Sequence, residues 1–195
     1  MQTLLLTLLS FFLGALPFSI WVGKYLLGVD IREYGDKNPG ATNVLRAGGY
    51  PAFILALMLD ITKGALPTGL AYFIFGVQDF NIVPIALASP LGHAISPFLN
   101  WRGGKSIAAA FGVWIGLTLW EIPVVAITLL VIFSLLIRPS GWAVMFSLAG
   151  MLVTLLLWQQ DAVFVVVLIS HTILLIWNHR EDLQQRPTLR LGPQS

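Results

Sequence analysis

Cysteine is absent from the 195 residues, which excludes disulfides, thiolate nucleophiles, thiolate metal ligands and any acyl-enzyme thioester. Charge is scarce too. Asp, Glu, Lys and Arg together make up 10% of the chain against 57% hydrophobic residues, and the mean hydropathy is +0.83. A water-soluble domain of that balance would expose far too much apolar surface, so the natural solvent is a bilayer. Loops between the apolar runs are only a few residues long and leave no stretch for a soluble domain. The expectation is one integral membrane domain over residues 1–195, with no internal repeat or low-complexity linker and no nucleic-acid partner.

The segment from Thr3 to Leu27 is too long for a signal-peptide core and lacks an early basic residue and a small-x-small cleavage pattern, so it is expected to remain as a span. Further apolar segments run from about Tyr50 to Gly76, Ile82 to Leu99, Ile107 to Leu119, Ile122 to Ile137, Trp142 to Trp158 and Ala162 to Trp177. The fold class is therefore an all-α polytopic membrane protein of about seven transmembrane helices. A hydrocarbon core of about 30 Å needs roughly 20 helical residues, so the shorter segments must tilt or extend into polar flanks. Placing Met1 outside puts Lys24, Arg32, Lys37, Arg46, Arg102, Lys105, Arg138, Arg180, Arg186 and Arg190 at or beyond one face, while the opposite loops hold Asp79, Glu121 and Asp161. That asymmetry predicts an external N-terminus and a cytoplasmic C-terminus ending at Ser195.

Four polar islands interrupt the apolar pattern. In the first, Asp30 to Arg46, Asn38-Pro39-Gly40 reads as a tight turn. A short helix opening at Ala41 would, with Arg46, form an anion-binding concavity; a basic interfacial loop is the plainer reading. The second is Asp60 with Lys63, whose spacing lets them pair on one helix face at membrane depth. A structural ion pair, a bend at the following Gly64 and a substrate role all fit. The third, Asn100-Trp101-Arg102-Gly103-Gly104-Lys105-Ser106, precedes an apolar helix. Glycines permit close backbone approach to an oxyanion and Lys105 adds a full charge, so it reads as a phosphate cradle or as a plain turn. It is no nucleotide P-loop, because Leu99 stands where the first glycine belongs. The fourth, Asn178-His179-Arg180-Glu181-Asp182, follows the last span; His179 there suits phosphate contact, proton transfer or interfacial capping. His93 and His171 read as satisfied within helices, and no metal site is evident.

Together the islands resemble the PlsY-type acyl-phosphate:glycerol-3-phosphate acyltransferases of bacterial membranes. The resemblance rests on Gly35 to Asn43 leading to Arg46, on Asp60-Ile61-Thr62-Lys63-Gly64, on Gly92-His93, on Pro97-Phe98-Leu99 with Arg102-Gly103-Gly104-Lys105, and on His179-Arg180-Glu181. It implies transfer of a fatty acyl group from acyl phosphate to the 1-hydroxyl of sn-glycerol 3-phosphate, without a cofactor, at the cytoplasmic face of the bacterial inner membrane; the chain is expected to be a monomer. The products are lysophosphatidic acid and inorganic phosphate. It further implies that Gly35, Asn38, Gly40, Asn43, Arg46, Gly103, Gly104, Lys105, Ser106 and His179 contact the substrates. Arg46, Lys105 and His179, with Asp36 and Asp182, then stand at the catalytic positions.

The chain departs from the family pattern at several of these positions. Gly-Ser-Gly-Asn becomes Gly35-Asp36-Lys37-Asn38, Gly-Gly-Lys-Gly becomes Gly103-Gly104-Lys105-Ser106, and His-Arg-Glu-Asn becomes His179-Arg180-Glu181-Asp182. The early Gly-Ser-Ile-Pro becomes Gly14-Ala15-Leu16-Pro17. Asp36 and Asp182 are therefore expected to oppose phosphate binding unless compensated, with Lys37 available nearby. A non-catalytic or altered-substrate paralogue is the first alternative. A small transporter of an anionic metabolite, drawn from Asp60, Lys63 and the glycine-interrupted helices, is the second.

Overall fold

The computed structural model describes residues 1–159 and 161–190, apart from the Gln159 side chain. The predicted cytoplasmic end at Ser195 lies outside the described residues. Chain contacts divide it into two compact units, Met1–Leu117 and Thr118–Ser195.

The first unit contains α1 (Gln2–Ala15), α2 (Phe18–Val22), α3 (Ala41–Gly48), α4 (Tyr50–Gly69), α5 (Ile82–Ala94) and α6, which begins at Ile107 and ends at Thr118. Small residues bring these helices together. A Cβ on Gly14 of α1 would fall on the Ser89 backbone of α5, and one on Gly92 of α5 would fall on the Phe11 carbonyl of α1. The α4–α6 contact repeats the device, with Gly64 against Ala109, Gly112 against Ile61 and Gly116 against Ala65. Between lipid-facing helices such close backbone approach supplies van der Waals contact that the solvent cannot drive. Large apolar side chains turn outward instead, among them Leu5 and Phe12 on α1 and Ile54 and Met58 on α4.

Proline divides the first apolar segment. Leu16 is extended (φ −61°, ψ 127°) and Pro17, lacking an N–H, stands between α1 and α2. The break releases carbonyls of the last turn of α1. Ser96 Oγ donates to Ala15 O at 2.6 Å and Lys63 Nζ to Leu16 O at 3.1 Å, which satisfies backbone groups that lipid cannot.

The second unit comprises α7 (Glu121–Leu136), α8 (Ser140–Thr154), α9 (Ala162–Asn178) and α10 (Arg180–Leu183). A two-residue antiparallel ladder joins β1 (Ile137–Arg138) to β2 (Thr188–Leu189). Among the described residues, Gln2–Leu27, Tyr50–Ile74, Asp79–Leu99 and Ser140–Trp158 are long and apolar enough to cross a membrane. Three shorter apolar helices, Ile107–Thr118, Glu121–Leu136 and Ala162–Asn178, accompany them.

Candidate functional site

The loop before α3 folds back in two tight steps. The Lys37 N–H donates to Tyr34 O at 3.0 Å around Gly35 and Asp36, and the Gly40 N–H donates to Asn38 O at 2.9 Å around Pro39. Gly35 has φ +56°, and a Cβ there would strike the Arg46 guanidinium and the Asn43 side chain. Conformation and space both call for glycine.

These turns direct Asp36 toward α3 and the Lys105 loop. One carboxylate oxygen accepts from Asn43 Nδ2 at 3.0 Å and the Asn38 N–H at 3.3 Å, and lies 3.6 Å from Arg46 Nη1. The other is 3.1 Å from Lys105 Nζ. Arg46 and Asn43, three apart on α3, are joined by a bond of 2.8 Å from Nη1 to Asn43 Oδ1. Burial raises the Asp36 pKa, but the hydrogen bond and charge of Lys105, with the Asn38 N–H and the Asn43 amide, outweigh it and hold the carboxyl below its ordinary value. Compensation for this acid thus comes from Lys105 and Arg46.

Gly103 and Gly104 seat their loop on the end of α5. Their N–H groups donate to the last carbonyls of α5, Ala94 O at 2.9 Å and His93 O at 3.0 Å. A Cβ on Gly103 would strike His93 O, and one on Gly104 the His93 ring. The glycines let the loop lie against the end of α5 and so fix the height of Lys105. Ser106 is buried with φ +65°, and its hydroxyl donates to Pro90 O at 2.8 Å. That left-handed backbone explains why glycine suits the position, and the hydroxyl bond offsets the strain of a serine there.

Beneath this loop lies the Asp60–Lys63 pair, 2.8 Å apart, with both side chains 2% exposed. Ser19 Oγ donates to the second Asp60 oxygen at 2.5 Å, and Lys63 also donates to Leu16 O. A cavity of about 10 Å³, lined by Leu16, Asp60, Lys63, His93, Ser96 and Gly104 among others, has the room one water requires. Ser19 and Ser96 carried no signal in the sequence, because their partners lie 41 and 81 residues away. Gly64 packs on α6, against the Ala109 carbonyl.

The second unit holds the remaining predicted residues. His179 caps the end of α9 and is buried, with Nδ1 3.3 Å from Asp182 Oδ2. The same oxygen accepts from the Gly141 N–H at 3.0 Å and Ser140 Oγ at 3.1 Å. Asp182 thus caps the start of α8 from a distant segment and complements its dipole. A side chain on Gly141 would collide with Asp182 and crowd His179. Ser140 escaped the sequence reading because a cap supplied by another segment leaves no local pattern. Among the described residues no group of three or more His, Asp or Glu side chains is placed to hold a metal.

Residues 4–186 match the family model described as glycerol-3-phosphate acyltransferase. The glycerol-3-phosphate acyltransferase of Coxiella burnetii is 34% identical over 91% of this chain and 91% of its own, and that of Maridesulfovibrio salexigens is 35% identical over 90% and 89%. The crystal structure of PlsY, an integral membrane glycerol 3-phosphate acyltransferase, superposes with a TM-score of 0.84 at 30% identity, covering 94% of this chain and 91% of that one. The match is the same for its glycerol 3-phosphate and lysophosphatidic acid forms. With the model matched across nearly its whole length, this chain belongs to the glycerol-3-phosphate acyltransferase family.

Proposed function

We propose that the protein transfers a fatty acyl group from acyl phosphate to the 1-hydroxyl of glycerol 3-phosphate, releasing lysophosphatidic acid and inorganic phosphate. The observation that carries the reading is the convergence of Lys105, Arg46 and Asn43 on a single anionic group, the Asp36 carboxylate. Such a set recognises phosphate as readily as carboxylate. Family membership supports the reaction, and the PlsY forms with glycerol 3-phosphate and lysophosphatidic acid support its acceptor and product.

An acyl phosphate is a mixed anhydride and is already activated. The acceptor oxygen attacks the acyl carbonyl carbon, the bond from that carbon to the phosphate oxygen breaks, and phosphate departs with the electron pair. Positioning and neutralisation of phosphate charge by Lys105 and Arg46 are sufficient tasks for the protein, with no covalent intermediate on the enzyme. The hydroxyl proton passes to the leaving phosphate. In this reading Asn38, Gly35 and Gly40 shape the anion pocket, Gly103 and Gly104 set the height of Lys105, and Ser106 braces that loop.

The same proposal places the chain as one membrane domain of seven spans in the bacterial inner membrane, as a monomer, with its N-terminus external and the Asp36 and Lys105 loops cytoplasmic. The clustering of basic residues on one set of loops supports that orientation. The test is purified protein in lipid vesicles supplied with acyl phosphate and glycerol 3-phosphate. Phosphate and lysophosphatidic acid should appear in equal amounts and only with both substrates. Folded protein that releases neither would overturn the reading.

A further inference from the structure

We propose that the Asp36 carboxylate is an internal competitor for substrate phosphate: it holds the anion position among Lys105, Arg46, Asn43 and the Asn38 N–H, and a phosphate must displace it to bind. The inference rests on the proposed function only in naming phosphate as the incoming group. Its physical basis is the coordination itself. One oxygen takes an amide N–H, a side-chain amide and the edge of a guanidinium, while the other takes an ammonium. Two cations and two neutral donors around one small anion is the arrangement that binds an oxyanion.

The carboxylate is also placed to leave. Its side chain is 44% exposed, against 2% for Asp60, so water can receive it without the desolvation penalty that locks a buried acid. It sits between two residues of positive φ, Gly35 at +56° and Lys37 at +61°. A change at those two torsions swings the acid away while α3 and Asn43 stay in place. Arg46 remains tied to Asn43 throughout, so the pocket does not collapse when the acid departs. The occupant is the phosphate head of either the acyl donor or the glycerol acceptor, since the two share the chemistry that the pocket reads.

The competition predicts that removing the charge strengthens phosphate binding. Two partly exposed ion pairs, each worth up to about 1 kcal/mol, correspond to roughly five- to thirtyfold in affinity. The experiment is calorimetric titration of detergent-purified parent, Asp36→Asn and Asp36→Ser with inorganic phosphate, glycerol 3-phosphate and a non-reacting long-chain acyl phosphonate. Inorganic phosphate should bind the variants more tightly. A parallel gain for only one of glycerol 3-phosphate and the phosphonate then identifies which head displaces the acid. The gain should shrink when Lys105→Ala is added, because one of the two contested cations is gone and only Arg46 remains. Unchanged or weaker phosphate binding in folded Asp36→Asn and Asp36→Ser overturns the proposal, as does a gain that Lys105→Ala leaves undiminished. The readout is binding without turnover, so tighter phosphate binding in a protein that transfers no acyl group would sustain this inference while refuting the proposed reaction.

Discussion

Two aspartate–lysine pairs lie in the first unit at almost the same separation, Asp36 with Lys105 at 3.1 Å and Asp60 with Lys63 at 2.8 Å. They differ chiefly in exposure, 44% and 26% for the first against 2% for each member of the second. The buried pair is closed by Ser19 and the Leu16 carbonyl, and both of its side chains are almost wholly buried. The exposed pair is the anchor of a pocket. Burial therefore separates a pair that holds helices together from one that can be exchanged for a ligand, and neither residue type nor spacing does so.

The largest expected effect comes from the buried pair. Asp60→Ala leaves an uncompensated ammonium among α1, α4 and α5, which should destabilise the protein by about 3 kcal/mol or more and lower its folded yield. The double change Asp60→Leu with Lys63→Met removes both charges and should recover most of that loss. Detergent denaturation curves decide it, and a double variant as unstable as Asp60→Ala would show that the pair does more than neutralise itself.

At the exposed pair, Lys105→Ala should leave stability within about 1 kcal/mol of the parent while reducing acyl transfer on the order of a hundredfold, the loss of one charge-assisted phosphate contact. A variant that unfolds before it loses activity would place Lys105 with Lys63 and erase the contrast.

Asp182 supplies a third environment. It receives the Gly141 N–H and the Ser140 hydroxyl at the start of α8 and lies beside His179. Asp182→Ala should therefore destabilise the chain by about 1–2 kcal/mol, the worth of a helix cap, and should not raise phosphate affinity as Asp36→Asn does. Parallel phosphate titrations of the two variants are decisive, and equal gains would show that both acids compete for the same ligand.

Much of this was legible in the sequence because it is local. The apolar segments end within a few residues of the helices, the short helix starts at Ala41 as its turn signals require, and Asp60 meets Lys63 because three residues bring side chains to one helix face. Features that join distant segments were not legible. The break at Pro17 inside the first apolar segment went unread, as did the uptake of the freed carbonyls by Lys63 and Ser96, and Asp182 showed a charge but not the helix it caps. The Gly103-Gly104 motif was found, yet its N–H groups turn to α5, since only the fold determines which acceptor a glycine loop approaches.

Acid sharpens the contrast through linkage. The Asp36 carboxyl has a folded pKa below its unfolded value near 3.8, so its contribution to stability is fully present above the unfolded pKa and disappears as pH falls through the folded one. The stability difference between parent and Asp36→Asn should stay level above about pH 5 and shrink below about pH 4, with a size under about 1 kcal/mol at this exposure. Denaturation midpoints from pH 3 to 7 give the curve. A difference that instead shrinks between pH 5 and 7 would mean the acid is held less firmly than its contacts with Lys105 and Asn43 indicate.

Ser106 gives the smallest effect and tests how the cradle is braced. Its backbone is left-handed, which disfavours any residue with a Cβ by about 1 kcal/mol, and its hydroxyl bond to Pro90 O returns a similar amount. Ser106→Gly loses the bond but also the strain, so its stability should match the parent within about 0.5 kcal/mol. Ser106→Ala loses the bond and keeps the strain, and should be about 1 kcal/mol less stable than either. Both variants should bind phosphate as the parent does, because the hydroxyl is turned toward α5. The sequence reading instead put Ser106 on the substrate, and the same pair of variants separates the two views. If Ser106→Ala weakens phosphate binding several-fold at unchanged stability, the hydroxyl serves the ligand; if it costs stability alone, Ser106 is a brace whose work is to hold Lys105 at the height where Asp36 and phosphate contend for it.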